Sequence, residues 1–400
     1  MSLPPDEPLP PASGVPPPGT PAHGLPDDPY FEERHRALGA AARAFGELHL
    51  RAGAEDESDP AGRTCALVEA LGQAGLLEAA VAPPFGRMDV RSLVAVREAL
   101  AYYSSLADTA FAMQGLGSCP VALAGSDMQR LRWLRDSARG DVLCAFAVTE
   151  PEAGSDLAGV RTQAEHDGTL WRLSGLKTFI SNAGIAGLYT VLARSSEAPG
   201  HKGLSMFLVD AQSSGLSVRA LAPMAPHPLG EVRFDGTPAL LLGQEGTGFN
   251  LALRTLDTFR PSVGAAACGL AARALDEALR FTQARRQFGR PLSDFQATRM
   301  ALAEMHVDLQ AARLLVRQAA WKRDLGAEQA GRDASAAKLF ATEAAQRVVD
   351  RALQLHGGAG LLCGATVERL YREVRALRIY EGTSEIQKLV IARELLKQNR

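Results

Sequence analysis

Between Tyr30 and about Gly140, apolar residues recur at helical spacing. Leu67, Ala70, Leu71 and Ala74 make one stripe, Leu93, Val96, Leu100 and Tyr103 a second, and Leu131 and Leu134 a shorter third. The texture changes at about Val142. Short β-prone runs follow over Leu143 to Val148, Leu170 to Leu173, Leu188 to Ala193, Leu204 to Val209 and Leu216 to Val218, separated by Gly, Asp, Asn and Ser clusters. This is the pattern of antiparallel strands joined by turns. After Gly248 the helical period returns. Leu302, Met305, Leu309, Ala312, Val316 and Ala319 line one long face, and Ala341, Ala345, Val348, Ala352 and Leu355 line another. Long alanine-rich helices pack closely, which predicts a four-helix bundle.

The chain therefore reads as α+β. A helical domain over 30–141 precedes a central antiparallel β domain over 142–243 and a C-terminal helical bundle over 244–400. Ahead of these, residues 1–29 hold eleven of the 23 prolines and almost no β-branched or aromatic residue. Such a segment buries too little surface to offset its ordering entropy, so a disordered arm is expected. It has no basic start, no apolar stretch and no arginine before Arg34, unlike a secretion signal or transit peptide.

Composition narrows the function classes. A formal net charge of -2 gives no electrostatic pull toward nucleic acid. No apolar run approaches the roughly 20 residues that span a bilayer, so no membrane association is expected. Five scattered cysteines argue for a reducing, cytoplasmic setting and against a disulfide framework. With no His-x-x-x-His pair and no Cys-x-x-Cys, no metal site is expected.

Five motifs could carry chemistry, and each alone also has an ordinary structural reading. Phe146-Ala-Val-Thr-Glu-Pro-Glu-Ala-Gly-Ser-Asp156 offers the hydroxyls of Thr149 and Ser155, with Gly154 allowing close backbone approach; a turn after a strand uses the same residues. Lys177-Thr-Phe-Ile-Ser-Asn182 places Phe179 near the Ser181 hydroxyl, suiting an aromatic cofactor or simply a packed strand. Arg285-Arg-Gln-Phe-Gly289 could grip a pyrophosphate through forked guanidinium groups or end a helix with Gly289 as its cap. Gln354-Leu-His-Gly-Gly-Ala-Gly360 could present amides to a phosphate, or only stop a helix. In Ile379-Tyr-Glu-Gly-Thr-Ser-Glu-Ile386, Thr383 or Ser384 can cap the last helix, and Glu381 stands just outside its start, where the dipole favours the ionised form.

In their order and spacing these motifs, with the core-helix segment Leu256 to Leu309, resemble the acyl-CoA dehydrogenase family from about Tyr30 to Arg400. The resemblance implies a helical domain, a β domain and a four-helix bundle, usually as a homotetramer, with FAD partly held by a neighbouring subunit. It implies flavin contacts from Phe146, Val148, Thr149, Gly154, Ser155, Phe179, Ser181 and Thr383. Dinucleotide contacts across the subunit interface would come from Arg285, Phe288, Gln354, Gly357 and Gly358. Ser155, Arg260, Tyr380 and Gly382 would touch substrate. Glu381 falls on the family's catalytic glutamate. Some relatives carry the base on the first core helix instead, but the matching residue here is Phe259, which cannot accept a proton.

The implied reaction, a step of fatty acid metabolism, is α,β-dehydrogenation of an acyl-CoA to the trans-2-enoyl-CoA, with Glu381 taking the α-proton and flavin N5 the β-hydride. Desolvation of Glu381 when substrate closes the site would raise its basicity. Electrons would pass to an electron-transferring flavoprotein. Two segments depart from the family pattern, Val81-Ala-Pro-Pro-Phe-Gly-Arg87 and the compact Pro226 to Asp235, and both bear on which acyl group is accepted. An acyl group on a carrier protein is an alternative substrate, and a non-enzymatic flavin- or thioester-binding scaffold is an alternative of another class.

Overall fold

The computed structural model describes residues 28–50 and 57–397. Residues 1–27 of the expected arm lie outside this range; Asp28, at its edge, is buried and ion-paired to Arg317 at 2.8 Å.

The first part of the chain is α1 (Glu33–His49), α2 (Pro60–Gln73), α3 (Val90–Tyr103), α4 (Ser105–Ala124) and α5 (Asp127–Arg139). Local chemistry sets their ends. Asp59 accepts from the Gly62 amide with Pro60 at the first helical position, Asp89 accepts from the Ser92 amide, and Gly140 stops α5 at φ 81°. The periodic stripes foretold α2, α3 and α5. They did not foretell α4, which is buried nearly all round and so shows no apolar stripe.

The central strands are β1 (Cys144–Ala147), β2 (Gln163–His166), β3 (Trp171–Ser181), β4 (Leu188–Arg194), β5 (Leu204–Asp210), β6 (Leu216–Ala220) and β7 (Leu229–Leu242). The expected all-antiparallel arrangement needs correction, because β1 pairs with β4 in parallel, Cys144 opposite Leu188, and β2 meets β4 in parallel at Gln163 and Arg194. The remaining pairings are antiparallel. Taken together, the strands run β4–β2–β3–β7–β5 and back to β4, with β4–β2 the one parallel step, so this ring closes on itself and leaves β1 and β6 as appended strands. Tyr189, Phe207, Val232 and Phe234 fill its interior.

The chain then returns to helix in α6 (Gly248–Ala284), crosses a short hairpin of β8 (Arg286–Gln287) and β9 (Arg290–Pro291), and continues through α7 (Gln296–Asp324), α8 (Ala330–His356), α9 (Thr366–Ala376) and α10 (Ser384–Lys397). One core joins α6, α7 and α8 to α3. Small residues set that spacing: a Cβ on Gly264 would meet Val316 at 2.6 Å, and one on Gly269 would meet the Glu98 carbonyl at 2.4 Å. Gly289, expected as a helix cap, instead turns the hairpin at φ 80°, and Arg285 caps α6.

Candidate active site

The loop leaving β1 and the irregular end of β3 are fastened together. The Thr178 amide donates to the Thr149 carbonyl at 3.0 Å. Beneath them, Lys177 Nζ donates to Glu150 Oε1 at 2.8 Å and to the Val148 carbonyl at 3.2 Å. Glu150 also accepts from the Arg161 and Thr162 amides and the Thr162 hydroxyl. Burial disfavours its charge, yet Lys177 and these donors together hold its carboxyl below the usual range. Phe146, Val148, Thr149, Phe179 and Ser181 thus stand on one braced platform. The β3–β7 register shifts between Lys177 and Ile180, and there Phe179 turns to φ 55° with 65% of its surface exposed.

Glu381 lies in the loop between α9 and α10. Lys338 on α8 donates from Nζ to the carbonyls on either side of it, those of Tyr380 at 3.1 Å and Gly382 at 2.6 Å. Gln387 adds hydrogen bonds from Nε2 to the Glu381 carbonyl at 3.3 Å and the Gly382 carbonyl at 3.0 Å. Thr383 caps α10 by accepting from the Ile386 amide. Held this way, Glu381 adopts φ 54°, and its buried Oε2 has no hydrogen-bond partner among the described residues.

The sequence reading placed Glu381 in the field of the α10 dipole, favouring ionisation. The structure corrects the balance. Burial pushes its carboxyl up, against the pull of Arg97, Lys338 and Arg260. Arg260 on α6 is buried, paired to Asp257, and its Nε is also without a partner. Phe259 is fully buried against Gly115, so no second carboxylate enters from that position. Arg97, Asp108 and Lys338 carried no sequence signal, since each lies within a helix and outside every motif.

Four non-glycine residues among those described have positive φ: Phe179, Asn182, Phe288 and Glu381. Three of them are residues the sequence singled out. Such conformations cost about 1–3 kcal/mol each and persist where surrounding structure enforces them, typically at functional sites.

The remaining predicted residues lie elsewhere. Arg285 and Phe288 sit on the exposed β8–β9 hairpin, where Phe288 is 92% exposed. Gln354, Gly357 and Gly358 close α8, where His356 stacks on Phe281 of α6 at 4.2 Å. Among the described residues, no hydrogen bond joins either group to the β platform. A Cβ on Gly154, Gly357 or Gly358 would meet nothing within 4 Å, so all three backbones are open to a ligand.

Sequence models of the acyl-CoA dehydrogenase N-terminal, middle and C-terminal domains match residues 32–141, 145–237 and 246–396. The chain is 37% identical to a 3-(aryl)acrylate reductase of Clostridium sporogenes, over 92% of this chain and all of the relative. It is 33% identical to the caffeyl-CoA reductase-Etf complex subunit CarC of Acetobacterium woodii, again over 92% and 100%. The solved butyryl-CoA dehydrogenase of Megasphaera elsdenii superposes with a TM-score of 0.85 at 31% identity, over 92% of this chain and all of that one.

The chain belongs to the acyl-CoA dehydrogenase family. It is an oxidoreductase with FAD as cofactor. The residues present fit an acyl-CoA dehydrogenase flavin site: open glycine backbones, outward-facing Phe179 and Phe288, and hydroxyls at Thr149 and Ser181. No helix among the described residues is long and apolar enough to cross a membrane.

Proposed function

We propose that this enzyme dehydrogenates an acyl-CoA at Cα–Cβ, with Glu381 as the base for the α-proton. The observation that carries this is the state of Glu381: half-buried, held at φ 54° from both sides, with its Oε2 buried and without a hydrogen-bond partner among the described residues. A carboxylate engaged in a full ion pair is a poor acceptor, whereas a desolvated one with a free oxygen is a stronger base. Bound FAD supplies the hydride acceptor for the β-hydrogen. Phe146, Val148, Thr149, Gly154, Ser155, Phe179, Ser181 and Thr383 would hold its flavin portion, and Ser155, Arg260, Tyr380 and Gly382 would contact substrate. In the reverse sense, as in relatives named as reductases, the protonated Glu381 would return the α-proton.

The exposed Arg285–Phe288 hairpin and the open end of α8 support a homotetramer in which a neighbouring subunit supplies the dinucleotide contacts. Passage of electrons to an electron-transferring flavoprotein is supported by the complex-forming relative. A cytoplasmic setting is supported by five unpaired cysteines.

The test is anaerobic titration of the FAD-loaded enzyme with acyl-CoAs of graded length, alongside Glu381→Gln. Bleaching of the flavin band by one of them, slowed about 10²–10⁴-fold in the variant, is expected for loss of a general base. A yellow protein that no acyl-CoA reduces would favour an acyl group on a carrier protein. A chain that takes up no FAD would favour a scaffold.

A further inference from the structure

Arg97, Lys338 and Arg260 all bear on the charge of Glu381, yet among the described residues none forms an ion pair with it, because each is occupied elsewhere. Arg97 on α3 donates to both oxygens of Asp108 on α4, from Nε and Nη2 at 2.8 Å each, and from Nη1 to the Ser262 hydroxyl on α6 at 2.9 Å. Arg97 and Asp108 are 1% and 3% exposed, so this is an interior ion pair. Arg97 is close enough to Glu381 and Tyr380 to bear on the charge of both. Lys338 spends its donors on the carbonyls of Tyr380 and Gly382, and Arg260 is paired with Asp257.

We propose that Asp108 and Lys338 are positioning residues for Glu381 that act with opposite sign. Lys338 holds the loop carbonyls and lends positive charge without closing an ion pair. Asp108 keeps Arg97 occupied, so that this guanidinium cannot turn and bridge the base. The inference rests on Glu381 being the base, and it assigns a role to two side chains on helices distant in sequence.

The charges facing Glu381 all enter the balance. Arg97, Lys338 and Arg260 favour its ionised form, and Asp108 opposes it. Around Lys338, burial holds its ammonium down to about 8, partly offset by Glu381, Glu343 on α8 and Glu385 on α10. Removing the lysine charge therefore makes Glu381 harder to ionise. Removing the Asp108 charge both deletes an anion and releases Arg97, making Glu381 easier to ionise.

The experiment is the pH profile of kcat/KM for the FAD-loaded enzyme, since its acid limb reports the base in the free enzyme. Lys338→Met is expected to move that limb upward by about one unit or more, and Lys338→Arg to keep it near the native position. Asp108→Asn is expected to move it downward by a similar amount. In the double variant Arg97→Gln/Asp108→Asn, which replaces the interior pair by neutral groups, the downward shift should vanish. Limbs that stay in place, or that shift the same way in both single variants, overturn the proposal. So does a double variant that keeps the Asp108→Asn shift. If Lys338→Met loses its flavin spectrum, the Asp108 pair of variants decides alone. Full activity in Glu381→Gln would instead remove the base reading itself, an outcome separate from unmoved profiles in an enzyme that Glu381→Gln disables.

Discussion

Lys177 Nζ lies 2.8 Å from Glu150 Oε1, and the two side chains are 0% and 6% exposed. This pair sits under the junction of the β1 loop and β3, and Lys177 also holds the Val148 carbonyl. Lys177→Met leaves the Glu150 carboxylate buried without its counter-ion. Breaking such a pair from one side costs about 3–5 kcal/mol. Urea unfolding should show that loss, together with weaker FAD uptake in equilibrium titration.

The same carboxyl sets an acid limit. Its folded-state affinity for protons lies below the ordinary one, so it stabilises the fold fully above the usual glutamate value of 4.5. That contribution disappears as pH falls through the lower folded value, because the unfolded chain then binds the extra proton more readily. Melting temperatures followed from pH 7 downward should fall below about pH 4.5, less steeply in Glu150→Gln than in the native protein.

Glu381 has the opposite linkage. Burial raises its folded value, so whatever stability it offers is present at low pH and is lost as pH rises through that value. Glu381→Gln removes the cost of an ionised, partnerless oxygen. The variant should therefore melt higher than the native protein at pH 7, with the gap closing toward pH 4, while turnover is lost. Equal melting temperatures at both pH values would contradict the burial of this carboxyl.

Phe179 separates cofactor binding from folding. Its ring is 65% exposed and its backbone is at φ 55°. Phe179→Gly relieves that conformation at the cost of a more flexible unfolded chain, so apo stability should stay within about 1 kcal/mol. FAD affinity, read by fluorescence titration, should weaken by at least about tenfold, corresponding to about 1.4 kcal/mol.

Phe288, at 92% exposure and φ 50°, makes the matching case for assembly. Phe288→Ala removes almost no buried surface within the chain and should leave unfolding of the subunit within about 0.5 kcal/mol. Sedimentation should show a shift toward smaller species, with FAD lost on dilution. An unchanged oligomer that keeps its flavin would argue that this hairpin meets no neighbouring subunit.

By itself the sequence determined the sites of most helices and strands, because the helical stripes and the β-prone runs are local patterns that burial of one face imposes. Motif order also pointed to Glu381, Phe179 and Phe288 as residues worth attention. Tertiary structure alone decided three other matters. It placed α4 in the interior, where apolar contact on every side erases periodicity. It made two strand pairings parallel, a choice set by how β1 and β2 reach β4 across the ring and invisible in alternation along a strand. Above all it set the state of Glu381. The helix start beside this residue suggested a stabilised anion, but desolvation outweighs that, and the opposing charges come from Arg97, Arg260 and Lys338, which are 284, 121 and 43 positions away along the chain. Desolvation and charge act through space, so no local pattern around residue 381 could have carried them.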